Sequence, residues 1–159
     1  MNKVGELYCK FCDSTIKSDL RSTTKNGVIK ELVSALSMQA NARDILIKNL
    51  LKREGMGSTG VGKGIAIPHA RTLLVRDFKL VIGLSKKGVE FDSFDGKPVY
   101  IFFLLIAPPE ESSNSYLITL GKVAEFAKLI ANDGRLFKVK NEREFLEIVK
   151  EIEDKKVKN

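Results

Sequence analysis

Only one histidine, His69, occurs in 159 residues, with no tryptophan, two cysteines and four prolines. The longest apolar run, Val99 to Ala107, falls well short of the ~20 residues that cross a bilayer as a helix. The N-terminus, Met1-Asn2-Lys3-Val4-Gly5-Glu6, lacks the basic-then-apolar order of a secretory signal. A cytoplasmic chain without membrane insertion is therefore expected. A lone histidine and no tight group of acids leave too few ligands for a metal site. Cys9 and Cys12 make a C-x-x-C, but there is no second cysteine pair to complete a zinc site. Nor do they stand between a strand and a helix as a redox pair would, so they read as two incidental thiols.

What the chain does have is 43% apolar and 30% charged residues, the balance of a soluble globular fold. Its 27 basic and 20 acidic residues give a net charge of +7, but the charges are interleaved along the chain. The local excess, Lys155-Lys156-Val157-Lys158, reads as a solvated, fraying tail, and no basic stretch with interleaved aromatics suggests nucleic acid. The length fits one domain, 1–159, with a lead-in over 1–23 and a basic tail over 154–159.

Helical periodicity starts near Thr24, a candidate N-cap, with Ile29, Leu32, Val33 and Leu36 on one stripe. A second helix, about Ala42 to Glu54, carries Ile45, Leu46, Ile47, Leu50 and Leu51, and stops at Gly55 and Gly57. Ile65 to Pro68 suits a short strand ended by proline. Phe78, Leu80, Ile82 and Leu84 alternate with less apolar positions as a strand, and Lys87-Gly88 reads as a turn leading to Val89-Glu90-Phe91. A loop at Asp95 to Pro98 precedes Val99 to Ile106, which is apolar on both faces and so reads as a central strand covered on both sides.

After the polar stretch Glu110 to Ser115, a helix places Leu117, Leu120, Ala124, Ala127 and Ala131 on one face, with Tyr116 and Val123 beside it. Arg135 to Val139 is ambiguous between helix and strand. Asn141 then caps a last helix, with Glu144 three residues on as in a capping box and Phe145, Ile148, Val149 and Ile152 as its stripe. The expected class is α/β, a central mixed β-sheet flanked by helices on both faces.

Two nucleotide motifs occur by pattern between Gly55 and Lys63: G-x-G-x-x-G, and the first seven positions of a Walker A loop. Both work by seating phosphates on a helix that follows a strand. Here a helix precedes and a strand follows, and Gly64 stands where a magnesium-binding hydroxyl is needed. Nucleotide binding is therefore set aside. The glycines either form a loop with positive φ angles or let the backbone approach a phosphoryl group closely.

His69 follows this loop at the end of the expected strand, the usual ligand end in α/β sheets. No G-x-S-x-G elbow supports a Ser-His-Asp hydrolase. A nucleophilic imidazole that takes up a phosphoryl group needs only itself, nearby N–H or hydroxyl donors and a cation. Ser58, Thr59, Gly60, Arg53 and Arg71 are candidates for those parts, and no cofactor is required.

The run Arg53-Glu54-Gly55-Met56-Gly57-Ser58-Thr59-Gly60-Val61-Gly62-Lys63-Gly64-Ile65-Ala66-Ile67-Pro68-His69 resembles the active-site signature of fructose/mannitol-type enzyme IIA domains of the sugar phosphotransferase system, closest to the nitrogen-regulatory IIA proteins. The resemblance continues through Phe91 to Val99 and Phe103 to Pro108, covering about residues 24–153. It implies a mixed sheet between helices, and a phosphohistidine intermediate in which His69 accepts a phosphoryl group at Nε2 from the histidine-containing phosphocarrier protein. It further implies onward transfer to a cysteine of enzyme IIB, or regulation of a target protein. Arg53 matches the family's active-site arginine and Thr59 a loop threonine beside the site; Arg71 is a candidate by proximity alone.

The family usually carries a second histidine where this chain has Tyr116. A phenol can donate a hydrogen bond but cannot act as a second imidazole, and Tyr116 could equally be a core aromatic. Two functions follow as expectations: a phosphoryl carrier, or a IIA-like regulatory binding protein with weakened or lost phosphotransfer.

Overall fold

The computed structural model describes residues 5–111 and 114–158, with the side chains of 157 and 158 undescribed. Its core strand is the run that was apolar on both faces. Strand β6 (Val99–Ala107) pairs antiparallel with β5 (Lys79–Val89), and β5 pairs parallel with β1 (Thr15–Leu20). Along the other edge of β6 lie β3 (Ile65–Ala66) and β4 (His69–Arg71), both parallel to it, and β2 (Gly60–Gly62) forms a hairpin with β3. The result is a mixed, open six-stranded sheet.

Because strand side chains alternate, β6 feeds two separate cores. Ile101, Phe103, Leu105 and Ala107 join the cluster made by helices α1 (Glu6–Cys12), α4 (Ser115–Asp133) and α5 (Glu142–Lys158). Phe102, Leu104 and Ile106 join the cluster under α2 (Lys25–Ser34) and α3 (Ala40–Gly55). Helices thus cover both faces, as the expected α/β class requires.

Thr24 caps α2 by accepting from the Gly27 N–H, and Asn141 Oδ1 accepts from the Glu144 N–H at the start of α5. Glu144 reaches back to the Lys140 N–H, one residue before the cap, instead of closing a box on Asn141. Arg135 to Lys138 settles as one 3₁₀ turn.

Several expectations are corrected. Lys87-Gly88 does not end a strand: β5 runs through to Val89, and the pairing register shifts between Leu84 and Val89 around a Gly88 with φ of 84°. The strand expected from Ile65 to Pro68 is two residues long, and His69 begins the next strand instead of ending that one. Proline has no N–H for the ladder, so the chain breaks there while keeping register with β6, Ile65 opposite Ile101 and His69 opposite Leu105. The buried face of α4 is rotated from the expected one: Tyr116, Val123, Phe126 and Ile130 point inward, and Leu117 is 55% exposed. On α3, Leu46 and Leu50 are buried but Ile45 is not.

Residues 154–158 of the basic tail are the end of α5, which buries Ile152 and pairs Lys156 with Glu125 of α4, and residue 159 lies outside the described residues. The lead-in contains α1 and β1, and α1 is anchored by Phe11 in the core with Cys9 and Cys12 facing solvent. Part of the polar stretch before α4, residues 112 and 113, lies outside the described residues.

Candidate functional site

Register places the site. Residues opposite one another in a parallel pair share a face, so His69 and Arg71, opposite Leu105 and Ala107, point to the side covered by α4. The N-terminal turn of α4 lies over them and contributes Tyr116. The rings of His69 and Tyr116 are 6.3 Å apart, and the Arg71 guanidinium stacks over the Tyr116 ring at 4.9 Å. Arg71 is held there by donating to the Pro109 carbonyl at 3.1 Å.

His69 is half-buried, and its Nδ1 lies 2.7 Å from the Ile67 carbonyl oxygen. A carbonyl only accepts, so Nδ1 carries the proton and, in the neutral ring, the lone pair resides on Nε2. The contact spans Pro68, whose carbonyl accepts from the Leu105 N–H and keeps this stretch in register with β6.

Tyr116 is 5% exposed. Burial pushes its phenol pKa up, against the opposing pull of Arg71 and Arg53, so the group stays a neutral hydroxyl at physiological pH. Both arginines act on this phenol as charges, Arg71 from direct stacking and Arg53 from the end of the neighbouring helix.

Arg53 lies in the last turn of α3 and donates to the Gly57 carbonyl at 2.8 Å. Thr59 gives its N–H to Glu54 Oε2 at 3.0 Å and its hydroxyl to Glu54 Oε1. Ser58 donates to the Phe91 carbonyl and accepts from the Gly60 N–H, so its hydroxyl and the Gly60 amide are both engaged within the loop. Gly60 packs against Ser93, where a Cβ would meet the Ser93 Cα at 2.9 Å. His69, Tyr116 and Arg71 are thus brought together, Arg53 is held on the Gly57 carbonyl within electrostatic influence of Tyr116, and Ser58, Thr59 and Gly60 are tied into the loop that leads to His69. Among the described residues no group of acids, cysteines or histidine could hold a metal ion.

Residues 11–152 match the family model described as "Phosphoenolpyruvate-dependent sugar phosphotransferase system, EIIA 2". The chain belongs to this family. Members of the EIIA 2 family are components of that phosphotransferase system. The chain is 39% identical over 124 residues to the fructose-specific EIIABC component of Bacillus subtilis, a match that covers 77% of this chain and 19% of that much longer protein. A crystal structure of the nitrogen regulatory protein IIA-Ntr from Neisseria meningitidis superposes with a TM-score of 0.73 at 29% identity, covering 84% of this chain and 92% of that one. The Escherichia coli mannitol IIA, solved in complex with phosphorylated mannitol IIB, shares the fold with a TM-score of 0.63 at 20% identity over 85% of this chain and 93% of its own. No helix among the described residues is long and apolar enough to cross a membrane.

Glu54 went unnoticed in the sequence. Its signal was available: an acid in the last turn of a helix, where the helix dipole disfavours negative charge, five residues before a threonine.

Proposed function

We propose that this chain is a phosphoryl carrier of the phosphotransferase system, with His69 as the acceptor. The observation that carries the reading is the 2.7 Å contact between His69 Nδ1 and the Ile67 carbonyl, which leaves the Nε2 lone pair as nucleophile. Nε2 attacks the phosphorus of a phosphohistidine on the histidine-containing phosphocarrier protein. The new N–P bond forms as the donor's N–P bond breaks, and the electron pair returns to the donor imidazole.

Arg71 and Arg53 are the cations that offset the charge of the three peripheral oxygens, and the neutral Tyr116 hydroxyl is the hydrogen-bond donor at the position of the family's usual second histidine. Thr59 acts through the loop. Exposed Met56, Leu73, Leu117 and Ile118 flank these residues in sequence and offer apolar surface to a protein partner. The onward acceptor is a cysteine of enzyme IIB or, in a regulatory role, a target protein that reads the phosphorylation state.

Incubation with phosphoenolpyruvate, enzyme I and the phosphocarrier should give an acid-labile, hydroxylamine-sensitive phosphate that is absent in His69→Gln. Label that persists in His69→Gln, or no label under conditions that label a known IIA, would overturn the proposal.

A second reading rests on Tyr116 itself: a IIA-like regulator in which phosphotransfer is weakened. It expects Tyr116→His to raise the labelling rate at least tenfold, and an unchanged rate removes its basis.

A further inference from the structure

Glu54 is a carboxylate with 4% of its surface exposed, directly after Arg53, and the chemistry above does not use it. Burying a carboxylate is costly unless it is hydrogen-bonded and paired, and the C-terminal turn of a helix adds an unfavourable dipole. Glu54 meets that cost with three partners: the Thr59 N–H, the Thr59 hydroxyl and the Lys25 ammonium at 3.6 Å. Lys25 is the first residue of α2, bridges also to Asp92 at 3.2 Å and lies over the Phe91 ring at 4.9 Å. Ser58 bonds the Phe91 carbonyl from the other side.

These contacts close a small ring. Glu54 holds Thr59, and the segment between them contains Gly57, whose carbonyl takes the Arg53 guanidinium. Gly55 and Gly57 have no atoms near their would-be Cβ positions, so packing does not fix this segment. It is held by hydrogen bonds instead: the Gly57 N–H to the Glu54 carbonyl, the Ser58 hydroxyl to the Phe91 carbonyl and both Thr59 donors to the Glu54 carboxylate.

We infer that Glu54 is a positioning residue: it clamps residues 55–59 so that the Gly57 carbonyl holds the Arg53 guanidinium in one orientation for the transfer step. This inference rests on the phosphoryl-carrier reading for its kinetic consequence but not for the clamp itself. A glycine-rich loop without the clamp would leave Arg53 to sample many rotamers, and the loss of orientation would appear in the transfer step and not in donor binding.

Two measurements on the whole chain test it. First, amide hydrogen exchange on the unphosphorylated protein: Glu54→Gln and Thr59→Val should each speed exchange at Gly57 to Gly60 at least tenfold while α2, α4 and α5 keep their protection. Unchanged exchange in that loop overturns the clamp, whatever the protein does with phosphate. Second, the rate of His69 labelling against phosphocarrier concentration: Glu54→Gln should lower kcat at least tenfold with KM within about twofold, Thr59→Ser should retain most of the wild-type rate, and in an Arg53→Lys background Glu54→Gln should add less than a twofold further loss. A full, multiplicative loss in that background would mean that Glu54 does not act through Arg53, and kcat within twofold of wild type would reduce it to a purely structural group. Faster loop exchange with no labelling of the wild type would sink the carrier reading and leave the clamp standing.

Discussion

At the residue scale the site turns on Tyr116. Its ring and its hydroxyl have separable jobs: the ring fills the core at the start of α4 and takes the Arg71 guanidinium, while the hydroxyl is the part that could reach a phosphate oxygen. Tyr116→Phe keeps the first and deletes the second. Its stability in urea should stay within about 1 kcal/mol of wild type, the usual net worth of one hydrogen bond. If the hydroxyl donates in the transition state, the labelling rate should fall about 100-fold, as when one oxyanion donor is removed. An unchanged rate would make Tyr116 a core aromatic and nothing more. That two-sided outcome is why the residue could not be assigned from sequence: a tyrosine on an apolar helix stripe looks the same in either role. His69 and Arg53 could be singled out as candidates because a long, ordered run surrounds them. The closeness of Arg71 and Tyr116 was not legible, since it depends on where α4 begins over β4, and the two residues are far apart along the chain.

At the scale of elements, long periodic segments were readable and short or glycine-containing ones were not. Helices α2, α3, α4 and α5 and strands β5 and β6 follow from stripes and alternation. Strands β2 and β4, three residues each, carry no periodicity, and β2 sits among glycines that signal a loop. It is a strand because Lys63-Gly64, with φ of 57° and 84°, turns the chain tightly enough for β2 to pair with β3. Leu117 misled the reading of α4 because the helix buries the stripe through Tyr116 and Phe126 against β6.

Gly83 of β5 shows how close the helix on the other face comes. A Cβ there would lie 2.6 Å from both Leu20 Cδ1 and Leu32 Cδ2, the latter on α2. Gly83→Ala should therefore cost about 1–3 kcal/mol by overpacking, read as a lower urea midpoint with an unchanged m-value. Adding Leu32→Val should recover part of that loss. If the double variant is as unstable as the two separate losses summed, the contact is not what limits position 83.

At the scale of the whole molecule, the two cores on either side of one sheet are closed differently at their margins. The α2–α3 side is tied to the site by Lys25 and Glu54. The other side is closed by α1, whose Phe11 packs on Phe103, Phe126 and Phe145 and thereby joins strand β6 to α4 and α5. Glu153 of α5 fastens this helix by accepting from the Tyr8 N–H, and Lys122 of α4 pairs with Glu6.

Burial of Glu153 pushes its pKa up, and the Tyr8 and Leu7 N–H groups only partly offset that. The sign follows from proton linkage. A carboxyl whose pKa is raised by folding holds its proton more tightly in the folded chain than in the unfolded one, so stability is lost as pH rises from the ordinary carboxylate value through the raised folded value. Glu153→Gln keeps an oxygen for the Tyr8 N–H and removes the charge. The variant should be more stable than wild type at pH 7, with the difference shrinking toward zero as the pH is lowered below about 4.5, the unperturbed carboxylate range. Thermal unfolding of both proteins from pH 3.5 to 7.5 measures this. A gap that stays constant with pH, or a Gln variant less stable at neutral pH, would mean that the Glu153 charge is a net contributor to α1 docking. In that case the fastening of α1 is ionic, and high salt should loosen it in the wild type.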